Sequence, residues 1–198
     1  MKIVVAAMLM AASASAAVIH IEGPLMAVVT NGPCNLTTTN SIIIDDDGPA
    51  IPYRTLICVS GISNSVTKVT VTITNLVHNF PTDMQWVLVS PNDLAVKLIG
   101  KVGGASPIST TVTFDSDAAG YVPDGFAAGT YKPTDTDPGY VFPLVLGVQP
   151  PPGPYSTNLN TFAGMASGDA NGLWEVYVMD DTALDGGSAD SVTLTITQ

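Results

Sequence analysis

Val69-Thr70-Val71-Thr72-Ile73-Thr74-Asn75-Leu76, followed shortly by Met84-Gln85-Trp86-Val87-Leu88-Val89-Ser90, is the stretch that decides the fold. The first run alternates apolar and hydroxyl side chains with a period of two, which puts one face of a strand in a core and the other in water. The second is almost wholly apolar, the pattern of a strand covered on both faces. Residues 77–83 between them include Asn, Pro and Asp, the chemistry of a turn. The two runs read as a hairpin-like pair at the centre of an all-β domain.

Working outward, further strands are expected over 41–44, 55–60, 95–99, 110–114 and 173–179. In a closing strand, Val192, Leu194 and Ile196 alternate with Thr193, Thr195 and Thr197. Gly, Pro, Asn and Asp punctuate them, which argues for a β-sandwich of many short strands in a single domain over 41–198. Residues 118–160 are different. They are rich in Gly, Pro, Tyr and Asp and include Pro150-Pro151-Pro152-Gly153-Pro154. So long an irregular stretch is expected to be a surface excursion packed by Tyr131, Tyr140, Phe142 and Tyr155. Trp86 and Trp174 lie inside apolar runs and are expected in the core.

Residues 1–17 read as a secretory signal peptide: Lys2, a short apolar run, then Ser13-Ala14-Ser15-Ala16-Ala17. The run is too short to span a membrane, and the mature chain is expected to be secreted. Residues 18–40 are then a leader. It is read either as an edge strand or as an arm that adds to a neighbour's sheet. Export also sets the redox context for the two cysteines, Cys34 and Cys58. Their pairing would close a loop of about 25 residues and stabilise by about 3 kcal/mol on the chain-entropy model.

A net charge of −11, with only six Lys and Arg, excludes a nucleic-acid partner and disfavours an anionic membrane surface, because both need clustered cations. Catalytic patterns are missing. There are two histidines, His20 and His78, no Gly-x-Ser-x-Gly elbow, and no evident partners for Ser60 or Ser90. Carboxylate pairs such as Asp115/Asp117 and Asp180/Asp181 read first as turn residues rather than glycosidase acids. The chain is therefore expected to be no enzyme, with His78 packing and hydrogen-bonding its turn.

The acidic loops favour a cation instead. Calcium takes six to eight oxygen ligands, and Asp180, Asp181 and Asp185, together with Asp115 and Asp117, are the expected donors. Asp45-Asp46-Asp47 forms a third cluster, and none of the three follows an EF-hand loop. Tyr121, Tyr131, Tyr140 and Tyr155 are the aromatics placed to face a glycan.

Several segments, taken in order, resemble the P domain (P/Homo B domain) of the proprotein convertases. They are 69–78; 81–91 with Asp83 and Pro91; Gly103-Gly104; Thr113-Phe114-Asp115 through Asp117 to Ala119; Gly129-Thr130-Tyr131 through Pro133 to Thr134; Leu159 to Gly164; and Asn171-Gly172-Leu173-Trp174 through Asp180-Asp181 to Asp185-Gly186-Gly187, with the closing strand over 192–196. The resemblance spans about 41–198 and implies a jelly-roll-like antiparallel β-sandwich. In that family the domain follows a subtilisin-like catalytic domain and stabilises it. Here no protease domain is expected before Ser41, the pattern of a standalone bacterial secreted form. The expected function is a secreted, non-catalytic module for protein interaction, self-association or extracellular assembly. The alternatives are a calcium-dependent carbohydrate-binding module and an accessory that stabilises a separate subtilisin-like protease.

Overall fold

The Thr-alternating run forms a long strand, β4 (Lys68–His78), the fourth along the chain. Val69, Val71 and Ile73 are buried, but further along the buried positions are Leu76 and His78. The phase changes at a bulge. Asn75 has a φ of 49°, and the register with the neighbouring strand shifts between Ile73 and Leu76. Asn tolerates the left-handed region better than most residues, and one extra residue re-aims every side chain that follows. The bulge is braced: the Asn75 N–H donates to Thr111 Oγ1 at 3.2 Å and its side-chain amide to Asp190 Oδ2 at 2.5 Å. Its consequence is that a histidine points inward.

The structure is a computed structural model that describes residues 18–23 and 41–198. Around β4 lies one sheet. Along one edge run β11 (Gly187–Ala189) and β12 (Ser191–Thr197), nearly end to end, and along the other β7 (Ile108–Phe114). Outside these, β1 (Val18–Gly23) pairs with β12, β2 (Ile42–Ile44) with β11, and β8 (Gly129–Tyr131) with β7. The second sheet runs β3 (Thr55–Val59), β10 (Gly172–Asp180), β5 (Met84–Val89), β6 (Ala95–Gly100) and β9 (Thr134–Asp135). Together the sheets form a β-sandwich.

Two expectations change. The central runs are not a hairpin pair, because β4 and β5 lie in opposite sheets. A single 3-10 turn, Pro81–Asp83, carries the chain across the sandwich between them. The sheets are also not purely antiparallel, since β7–β8 and β6–β9 are parallel. Both exceptions come from the 118–160 excursion, which lays a short strand along the edge of each sheet.

Trp86 and Trp174 are both fully buried. The Trp174 Nε1–H donates to Ala170 O at 2.9 Å, and its ring meets Phe162 edge-on at 4.9 Å. The main core fills the space between the sheets. A second, smaller cluster lies elsewhere: Val87, Val89 and Tyr177 of the second sheet are covered by Phe142, with Tyr53, Tyr140 and Tyr155 around it. This is why β5 is apolar on both faces. Cys58 lies on β3, whereas Cys34 and the signal peptide expected over 1–17 lie outside the described residues.

The covering layer should make stability fall in alkali. Burial pushes the Tyr53 phenol up to about 12, with Tyr155 adding to it, and pushes Tyr140 and Tyr177 upward as well. A raised folded value means that stability is complete below the ordinary 10.0 and is lost as pH rises through the folded value. Lys97, lowered by burial, acts in the opposite sense below its ordinary 10.5, so the decline sets in above that pH. Thermal midpoints measured from pH 9 to 12 (about the span of these shifts) should fall together with the appearance of tyrosinate absorbance. A flat profile would mean that ionised phenols are tolerated in place.

Candidate functional site

Two places concentrate unusual chemistry. The first is buried at the end of the sandwich where β4, β10 and the loop between β10 and β11 meet. The bulge at Asn75 turns His78 inward, and Asp180 ends β10; both side chains are fully buried. His78 Nε2 lies 3.0 Å from Asp180 Oδ2, and Nδ1 lies 3.8 Å from Asp185 Oδ1. Nδ1 accepts the Phe80 amide N–H at 3.1 Å, so the neutral ring carries its proton on Nε2, towards Asp180. The expected packing role of His78 in its turn is thus one half of its environment, and two carboxylates are the other.

Charge is crowded here. Burial, chiefly, raises the Asp180 carboxyl to about 7, with Asp185, Asp83 and Asp181 pushing the same way and the Thr182 amide opposing. Burial lowers His78, with Asp185 opposing, and raises Asp83, with Asp185 adding. Asp181 has partners of its own: Lys101 Nζ donates to Oδ1 at 2.5 Å and Gln85 Nε2 to Oδ2 at 2.9 Å. Asp46, from the 45–47 cluster, accepts the amides of Leu184 and Asp185 at 2.7 and 3.3 Å and so fastens the same loop from outside.

Of the expected cation ligands, the structure brings Asp180 and Asp185 together and places Asp181 beside them. It does not bring Asp115 and Asp117 to the group. That pair shares Lys68, whose Nζ lies 2.9 and 2.8 Å from their carboxylates. His78 and Asp83 are the members that loop composition does not single out. The signal for His78 is Leu76, an apolar residue out of phase with Val69, Val71 and Ile73: it marks the change of phase, His78 shares its face, and a polar side chain facing a core needs a partner.

The second place is the tip of the excursion. Residues 142–149 form a small hairpin in which Val145 and Val148 exchange both backbone hydrogen bonds, at 3.0 and 2.9 Å. Leu146 and Gly147 make its turn with φ of 50° and 81°, the positive values that a two-residue hairpin turn needs. The base is fixed. Gln149 Nε2 donates to Phe142 O at 2.8 Å, Tyr53 Oη–H donates to Pro143 O at 2.9 Å, and Phe142 is locked edge-on between Tyr140 and Tyr155. The apolar residues around the tip face water: Leu146 is 100% exposed, Leu144 67% and Val141 76%. Beside them a cavity of about 290 Å³ is lined by Tyr140, Phe142, Pro152 and Tyr155.

The tyrosines expected to face a glycan are divided. Tyr140 and Tyr155 belong to the covering layer, Tyr131 packs against the main core, and Tyr121 is exposed beneath Lys132, whose Nζ stands 5.6 Å from its ring centre. They do not share one platform.

No family model matches the chain, and no characterised protein matches it in sequence. Among solved structures it is similar to the serine protease of Aeromonas sobria, with 14% identity and a TM-score of 0.38. It is also similar to the complex of that protease with its chaperone, with 15% identity and a TM-score of 0.39. Each match covers 90% of this chain and 27% of the other, so the chain spans about a quarter of those proteins' length. No helix among the described residues is long and apolar enough to cross a membrane.

Proposed function

We propose that this chain is a secreted, non-catalytic β-sandwich module of the P-domain type whose role is to hold a protein partner, and that the hairpin over 142–149 is its contact. The observation that carries the reading is Leu146. A bulky side chain in the left-handed region costs about 1–2 kcal/mol, and this one is also wholly exposed. Asn or Gly would form the same turn at less cost and with better solubility. A strained, exposed leucine on a fixed base is the form of an apolar anchor that lacks its pocket. Export, the acidic surface and the sequence resemblance fit a module that works among other secreted proteins. Its partner is either a second copy or a separate protein such as a subtilisin-like protease.

The test is the pair L144S/L146S. Neither side chain supports the core, so the thermal midpoint should hold within about 2 °C, the scale of surface substitutions. Self-association by sedimentation, or retention of the secreted partner on immobilised protein, should fall at least tenfold. Unchanged association in both assays would remove the hairpin from the account.

A further inference from the structure

We propose that His78, Asp180 and Asp185 form a binding site for a divalent metal ion of the first-row transition series, with zinc as its natural probe. One ligand atom from each of the three lies within 4.8 Å of the others, so side-chain adjustments of about an ångström would bring all three onto one ion. They come from two separated parts of the chain, His78 from the end of β4, and Asp180 and Asp185 from the end of β10 and the loop that joins it to β11, so the fold, not a local turn, brings the imidazole to the carboxylates.

A cluster of carboxylates alone would say little, because Asp beside Gly is turn chemistry. The buried polar atoms say more. His78 Nε2 and Asp180 Oδ2 belong to fully buried side chains. Although they lie 3.0 Å apart, neither makes a well-aligned hydrogen bond, and Asp185 Oδ1 has none either. Buried polar groups are nearly always satisfied, and three unsatisfied ligand atoms gathered in one buried group call for a ligand. The surroundings call for positive charge as well. Asp83 and Asp181 lie in the electrostatic neighbourhood of Asp180, and Lys101, the cation there, is engaged by Asp181.

The donor set chooses the class of ion. Imidazole nitrogen with two carboxylates suits zinc and its first-row neighbours. Calcium asks for six to eight oxygens and has no use for the nitrogen at the centre of this group. The ring must present a free lone pair. In the protein as described the proton is on Nε2 and Nδ1 takes the Phe80 amide. Binding at Nε2 moves the proton to Nδ1 and releases the Phe80 amide, a local exchange at a residue near the surface. Gly187 gives the ring its place: a Cβ there would stand 2.7 Å from His78 Cδ2. The proposal does not depend on the docking role of the hairpin.

The experiment uses the full chain, stripped with chelator and then offered Zn2+, Ca2+ or Mg2+. Zinc is expected to stay bound at one equivalent through gel filtration. At about one hundred times its dissociation constant it should raise the thermal midpoint by about 5–10 °C. His78→Gln and Asp185→Asn should each abolish retention, and 15N spectra of the wild-type imidazole should show the tautomer change on loading. The wild-type stoichiometry and spectra decide the matter even where a variant folds poorly. No retained zinc and no shift in the wild type would overturn the proposal. So would zinc binding that survives His78→Gln, or a stabilisation by calcium that exceeds the zinc effect and does not need His78.

Discussion

Gly187→Ala is expected to be among the most damaging single-methyl changes in the chain, lowering stability by about 3 kcal/mol and the thermal midpoint by about 6–12 °C. The reason is steric and not conformational, because Gly187 does not occupy the left-handed region. It stands in the short strand β11, opposite His78 of β4. An added Cβ would lie 2.0 Å from Val77 O and 2.7 Å from His78 Cδ2. The first of these is a backbone atom of the sheet and cannot swing aside. Either β11 separates from β4, or His78 leaves its place against Asp180, which exposes a buried polar group to an unmatched environment. Chemical denaturation measures the loss directly. A variant as stable as the wild type would mean that β11 does not press on β4 as closely as described.

The second large effect concerns Lys97. Its side chain is 1% exposed, that of Asp135 is 3% exposed, and Nζ lies 3.5 Å from Asp135 Oδ1. Nζ also donates to Asp137 O at 3.2 Å and stands 5.2 Å from the centre of the Tyr140 ring. Lys97→Met keeps the stem's volume and removes the charge, leaving a buried carboxylate without its cation. Breaking a buried pair in this way costs about 3–5 kcal/mol. Lys97→Met with Asp135→Asn removes both charges, while the asparagine oxygen can still accept the Asp137 N–H that Asp135 Oδ1 now takes at 2.9 Å. The double variant should lose less than half of what the single variant loses. Urea titration of both closes the comparison. Equal losses would show that the cost lies in packing against Tyr140 and Phe142 and not in the charge.

The period of two was legible wherever a strand has one wet face. Val69, Val71 and Ile73, and again Val192, Leu194 and Ile196, are buried as their alternation says. The continuous apolar runs around Trp86 and Trp174 were equally clear. Sheet membership was not legible, because the step from β4 to β5 depends on one turn at Pro81, and a turn sequence does not say whether it returns to the same sheet. The bulge at Asn75 hid the inward direction of His78, since parity counted from Val69 places that residue on the wet face. In the acidic loops, composition named Asp180 and Asp185, which the fold gathers at His78. It also proposed Asp115 and Asp117, whose neighbour Lys68 lies about fifty residues away in the sequence and is brought close only by the pairing of β4 with β7. The exposed hairpin was the least visible feature. The sequence names only the aromatics that pack the excursion, and only the fixed base and the positive φ of Leu146 separate the residues that cover from those that protrude.

The central claim is that this protruding tip meets another protein, and the direct measurement is site-specific photocrosslinking from position 146. A photoreactive residue in place of Leu146, activated among the proteins of the cells that make the chain and of their medium, should give one discrete adduct whose mass identifies a second copy or a single partner. The same residue at Ser109, exposed on β7 in the sheet that the excursion does not cover, should give none. Adducts absent from position 146, or no more frequent there than at position 109, would contradict the account.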